Sequence, residues 1–146
     1  MLREILAVRQ DNPALHRRWF QDDFFELYTW QAQNGTLAAF QLCYDVRGRE
    51  RAMTWHRSHG FSHNSIDYGG ARGRMKGTPL LAGEGRFPHR FVRSRFIRHA
   101  ATLDTAMRSF ILDKMREFGR HTARGEIAVQ RGSRATPSKN PANSPI

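Results

Sequence analysis

The chain predicts an α+β fold, an antiparallel β-meander sheet with two C-terminal helices packed on one face. Three observations carry that expectation. Phe24–Trp55 reads as three short strands of period two joined by two tight turns. From Phe87 onward the apolar period lengthens to about 3.6 residues, the helical value. A run of strands followed by a run of helices is the order of a two-layer domain in which helices cover one sheet face.

Taken in order, residues 2–9 hold enough Leu, Ile and Val for a strand that joins the sheet, and Asp11-Asn12-Pro13 ends it as a turn. His16–Asp23 is charged enough to read as a polar connector. Asn34-Gly35 between alternating runs is a strong hairpin signal, because both central positions of a type I′ turn need positive φ. A two-residue turn there pairs Gln33 with Thr36, Trp30 with Ala39, Tyr28 with Gln41 and Glu26 with Cys43. A second turn at Arg47-Gly48 pairs Val46 with Arg49, Cys43 with Ala52, Gln41 with Thr54 and Ala39 with His56.

Alternation then sorts the side chains onto two faces. Phe25, Leu27, Thr29, Phe40, Leu42, Tyr44, Met53 and Trp55 make a core face. The opposite face collects Glu26, Tyr28, Trp30, Ala39, Gln41, Cys43, Ala52, Thr54 and His56, a mixture of aromatic, polar and titratable groups.

Beyond Trp55 lies a long segment rich in Gly, Ser and His, within which Ser62–Tyr68 and Met75–Leu81 are candidate short strands. Pro79 places the latter at a sheet edge. Two helices are expected near residues 88–101 and 105–118, with Asp104 as the N-cap of the second and Gly119 as its stop. On the first, Phe91, Val92 and Phe96 are expected to face inward and Arg90, Arg93 and Arg98 outward. Residues 1–119 therefore form one domain, and 120–146 is a basic tail rich in Pro, Ser and Asn, too poor in large apolar groups to offset its ordering entropy.

Charge is the strongest compositional signal. Twenty-four Lys and Arg against thirteen Asp and Glu leave a net charge of +11, nearly all of the excess as Arg. Such a balance favours polyanions such as nucleic acid, or an acidic protein surface. Arg-favouring codon usage, leaving a merely solvated basic surface, accounts for the same composition. No charge-free apolar run of about 18 residues is present, so no membrane contact is expected. MLREILAVRQ carries Glu4 and lacks the apolar run of a secretory signal, so the expected compartment is cytoplasmic. Cys43 is the single cysteine, which leaves no intramolecular disulfide, and it reads as a small buried thiol.

FQLCYD at Phe40–Asp45, RAMTW at Arg51–Trp55 and GFSH at Gly60–His63 together resemble a family of small uncharacterised bacterial proteins, over about residues 1–118. His56 and His59 depart from that pattern, in which a basic, Gly-rich segment links the Trp to GFSH. The resemblance implies a single folded unit. It brings no established activity and no catalytic residues.

Four constellations could carry chemistry. His56, His59 and His63 could converge in a loop, although they match no spacing of known metal geometry and no metal or cofactor is expected. Gly69–Gly77 is basic and Gly-rich enough to cradle phosphate but is not a P-loop, and a flexible turn explains it as well. Arg86–His99 holds five Arg, two His and no acid in fourteen residues. The outer sheet face, with Tyr28, Trp30, Gln41 and His56, could stack bases, or be buried by its own chain or by a second copy in a homodimer. Nucleophile elbows, activated Cys–His pairs and paired catalytic carboxylates are missing from the sequence, which leans away from an enzyme. The expectation is a small basic binding protein that contacts nucleic acid or another polyanion through Tyr28, Trp30, Gln41, His56, His63, Arg90, Arg93 and Arg98. Its alternative is a small enzyme or ligand-binding domain with a pocket between the sheet face and the His/Gly-rich loop 56–77.

Overall fold

A computed structural model of the chain describes residues 1–67, 80–83 and 86–123. One sheet carries seven strands in chain order: β1 (Arg3–Ile5), β2 (Leu15–Gln21), β3 (Phe25–Ala32), β4 (Leu37–Tyr44), β5 (Arg51–His56), β6 (Gly60–Asp67) and β7 (Leu80–Gly83). Every neighbouring pair is antiparallel, so the sheet is a continuous meander. Helices α1 (His89–His99) and α2 (Thr105–Ala123) follow and cover one of its faces, which makes the fold α+β.

The helix-covered face is the aromatic one. Phe25, Leu27, Phe40, Leu42, Tyr44, Met53 and Trp55 form a single core with Val92, Phe96, Met107, Ile111, Met115 and Phe118 from the helices. Burying each such side chain is worth about 1.5–3 kcal/mol, which is why period-two and period-3.6 patterns find each other here. Asp104 caps α2 as expected, its Oδ1 accepting the Met107 N–H at 2.8 Å. The predicted register of the central strands also holds, with Tyr28 opposite Gln41, Glu26 opposite Cys43, Cys43 opposite Ala52 and Ala39 opposite His56.

Five expectations need correction. His16–Gln21 belongs to a strand, β2, fully paired with β3. Its charges disguised an alternation that sends Phe20 into the core and Trp19 to the other face, while Arg17 is buried beside Asp11 at 3.2 Å. The N-terminal strand is confined to Arg3–Ile5. The first hairpin does not pair Gln33 with Thr36: the ladder shifts after Trp30, Gln31 pairs with Leu37, and Ala32 N–H reaches Thr36 O at 2.8 Å. Gly35 takes the left-handed residue of a three-residue loop at φ +85°, a geometry as suited to Asn-Gly as the shorter turn.

Gly119 does not stop α2, which runs on to Ala123. The glycine answers a packing need instead, since a Cβ there would overlap the His89 ring of α1. Phe91 is not turned inward but is 47% exposed, because Val92, Phe96 and Ala100 fill the seam of α1 and leave position 91 on its flank. The glycine-rich stretch 69–77, Pro79 and residues 124–146 lie outside the described residues.

Candidate functional site

The outer sheet face is buried within the single chain. Tyr28, Trp30 and Ala39 form one apolar cluster with Leu15 and Trp19, and Cys43, Ala52 and Ile66 form a second with Val46. The Trp19 and Tyr28 rings stack at 5.7 Å. Gln41 is 4% exposed, and its Nε2 lies 3.4 Å from Cys43 Sγ. Tyr28 Oη donates to Glu26 Oε1 at 2.6 Å. Burial first, then the Glu26 carboxylate, hold that phenol protonated far above its ordinary range. These residues make a second, polar-threaded core.

The three histidines divide between the two faces. His56 pairs with Ala39 and Gly60 on the outer side, where its ring stacks on His59 at 4.3 Å. Its Nδ1 accepts the Ser58 N–H at 3.1 Å. Burial, with His59 adding to it, moves the His56 imidazole below its ordinary value. His63 pairs with Met53 and therefore points into the helix-covered core. There its Nε2 lies 2.6 Å from Tyr44 Oη, and the two rings are parallel at 5.9 Å. Burial, and to a lesser degree Arg51, hold His63 down to about 4. A pocket lined jointly by Tyr28, His56 and His63 would need walls that the sheet itself separates.

Arg90, Arg93 and Arg98 do come together. With His89, Ser94 and Ile97 of α1 and Arg116 of α2 they line an open groove of about 690 Å³ between the helices. The positions 90, 93, 94, 97 and 98 follow the helical repeat, so two turns of α1 present one continuous stripe about 12 Å long. Arg116 joins from the neighbouring helix near Gly119, where the helices come close enough to exclude a side chain.

This groove is electrostatically unbalanced. Among the described residues no carboxylate lies within salt-bridge distance of Arg90, Arg93, Arg98 or Arg116, whereas Arg9, Arg17 and Arg18, near the start of the chain, have acidic partners. The Arg93 Nε is buried without a hydrogen-bond partner among the described residues. Burial and the positive charges of Arg90, Arg86, Arg93 and Arg116 keep the His89 imidazole below its ordinary value. The first turn of α1 contains no acidic residue, and Pro88 supplies no side-chain cap. Cationic side chains at the positive end of a helix oppose its macrodipole, an arrangement that an anionic ligand would relieve.

One acidic cluster stands apart from the groove. Asp22, Asp23 and His99 offer ligand atoms within 4.8 Å of one another. The Asp22 carboxylate is already engaged, by the Phe24 and Phe25 N–H groups at 2.8 and 2.7 Å and by His99 Nδ1 at 2.7 Å. It ties a sheet turn to the end of α1.

The sequence pointed to Arg90, Arg93 and Arg98 but not to His89, Ser94, Ile97 or Arg116. The first three of these were discoverable from the same helical stripe. Arg116 was not, because its place depends on how α2 crosses α1. Compared with protein-family models, with curated proteins and with solved structures, the chain matches none of them.

Proposed function

We propose that the protein is a cytoplasmic binding module for nucleic acid or a similar phosphate polyanion, and that the groove between α1 and α2 is its contact surface. The observation that carries this reading is the set of four guanidinium groups around one groove, none with a carboxylate partner among the described residues. Codon usage accounts for many unpaired surface arginines, but not for four of them gathered around one groove with the Arg93 Nε buried and unpartnered among the described residues. Arg is suited to the task because its planar fork meets phosphate oxygens in pairs. No described helix is long and apolar enough to cross a membrane. Tyr28, Trp30 and Gln41 sit in the second core and contribute through folding, and His63 does the same from the first.

The test is binding of the full chain to labelled nucleic acid over a salt series, beside the Arg90→Gln/Arg93→Gln/Arg98→Gln variant. Affinity should fall steeply with salt, and the variant should lose about tenfold or more with a shallower slope. Anion binding should also raise the His89 pKa in an NMR titration, since negative charge favours the imidazolium. Equal binding by the variant, or an unmoved His89, would remove the groove from consideration.

A further inference from the structure

The open ring of Phe91 beside this groove gives the ligand class a sharper definition. We infer that the groove binds a single strand of nucleic acid, with phosphates along Arg90, Arg93 and Arg98 and a base stacked at Phe91 and Arg95. The inference rests on the groove being a polyanion site and deepens that reading.

Phe91 is one of few large apolar side chains left exposed among the described residues, at 47%. It stands three and seven positions from Ser94 and Arg98, both of which line the groove, so it flanks the stripe directly. The Arg95 guanidinium lies 4.8 Å from the Phe91 centroid and 4.8 Å from that of Phe24, and the two rings meet edge-on at 6.3 Å. Phe24 and Arg95 thus hold an aromatic–cation platform beside a row of guanidinium groups that no acid among the described residues neutralises. Single-stranded nucleic acid is recognised by that pair of features, a basic track for the backbone and π-faces for the bases. Arg90, Arg93 and Arg98 follow one another at about 4.5 and 7.5 Å along the helix axis, which lets them take neighbouring phosphates of an extended strand.

Two other polyanions fit less well. A duplex keeps its bases stacked internally and has no use for the Phe91 platform. An anionic bilayer would need an apolar face to insert, but Val92 and Phe96 are buried in the core. The exposed Phe91 and Ile97 are six positions apart, about 120° around the helix, so they cannot enter a bilayer together.

The experiment compares the full-length wild type with Phe91→Leu, which keeps an apolar group against Phe24 but removes the π-face, and with Phe91→Trp, which keeps it. Each is titrated by fluorescence anisotropy with a labelled single-stranded oligonucleotide, the corresponding duplex, and heparin, after its thermal midpoint is checked. The expected result is tighter binding of the single strand than of the duplex. Phe91→Leu should lose about fivefold or more on the single strand and nothing on heparin, while Phe91→Trp retains binding. The wild-type salt dependence should have a logarithmic slope of about −2 to −3, as three or four phosphate contacts to a single strand require. Equal affinity for duplex, or single-strand binding indifferent to Phe91→Leu while heparin still binds, overturns the single-strand assignment and leaves the polyanion reading standing. Failure of the wild type to bind any of the three overturns both.

Discussion

Asp22 and His99, separated by 77 positions in the chain, meet through Oδ2 and Nδ1 at 2.7 Å and lock the β2–β3 turn to the C-terminus of α1. Neighbouring bonds tighten the same corner: Leu2 N–H donates to His99 O at 2.8 Å, and Thr102 Oγ1 to Leu2 O at 2.6 Å. Burial alone would raise the Asp22 pKa, but the Phe25 and Phe24 N–H groups and His99 outweigh it and leave the carboxyl below its ordinary value. A carboxylate with a lowered folded pKa contributes stability above its unfolded pKa of about 3.9 and loses it as pH falls through the folded value. Asp22→Ala should therefore cost about 2–3 kcal/mol at neutral pH and much less in strong acid. Urea midpoints for both proteins at neutral pH and in strong acid measure this, and an equal loss at both would assign the effect to packing.

His63 gives a pH dependence in a different window. Its folded pKa, about 4, lies below the 6.5 of an unperturbed imidazole. The neutral form is thus favoured by folding, and the stability it represents is complete above pH 6.5 and lost as the pH falls toward 4. Over that range the native state should weaken by about 3 kcal/mol, because each pH unit that separates the two values is worth about 1.4 kcal/mol. His63→Phe suits the surrounding Tyr44, Phe87 and Phe118 rings and should flatten that slope, even if it lowers stability at neutral pH by taking the imidazole away from Tyr44 Oη. Denaturant unfolding at intervals between mildly acidic and neutral pH would show the slope persisting if the imidazole were not responsible.

Gly119 illustrates what the sequence could and could not convey. A glycine after a helical apolar run reads as a stop signal, yet here it sits inside α2 against the His89 ring. Gly119→Ala gains about 1 kcal/mol of helix propensity but must push the helices apart or expel His89, at about 1–3 kcal/mol. The net change should be destabilising, and the double variant with His89→Ala should restore most of the loss. A single Gly119→Ala variant as stable as wild type in thermal unfolding would show that His89 swings aside freely.

The parts of the fold that rest on local pattern were legible. The pairing of Tyr28 with Gln41 and of Cys43 with Ala52 follows from strand alternation and turn position, and so does the split between the two faces. What failed depended on partners distant in space or hidden by charge. Arg17 sits buried in β2 because Asp11 meets its charge, and nothing in HRRWF announces that. For the outer face the sequence left base stacking, burial by its own chain and a homodimer all open, because alternation sorts residues by face but says nothing of what lies over each one. The groove was half legible, for its α1 stripe is local and Arg116 is not.

The start of α1 separates a binding role from an ordinary solvated surface. A helix tuned only for stability would place a carboxylate in its first turn, where this one has Arg90 and no acid. Arg90→Glu should relieve repulsion with Arg93 and Arg116 and favour the macrodipole, stabilising the protein by about 0.5–1 kcal/mol. The same change puts negative charge into the groove and should weaken polyanion binding by about tenfold or more. Thermal unfolding and a binding titration on one sample decide the matter. A rise in Tm with a loss of affinity means that the chain keeps Arg90 at a cost in stability because the groove uses it. A stabilised variant that binds as well as wild type would mean that the arginines of α1 are only solvated charge.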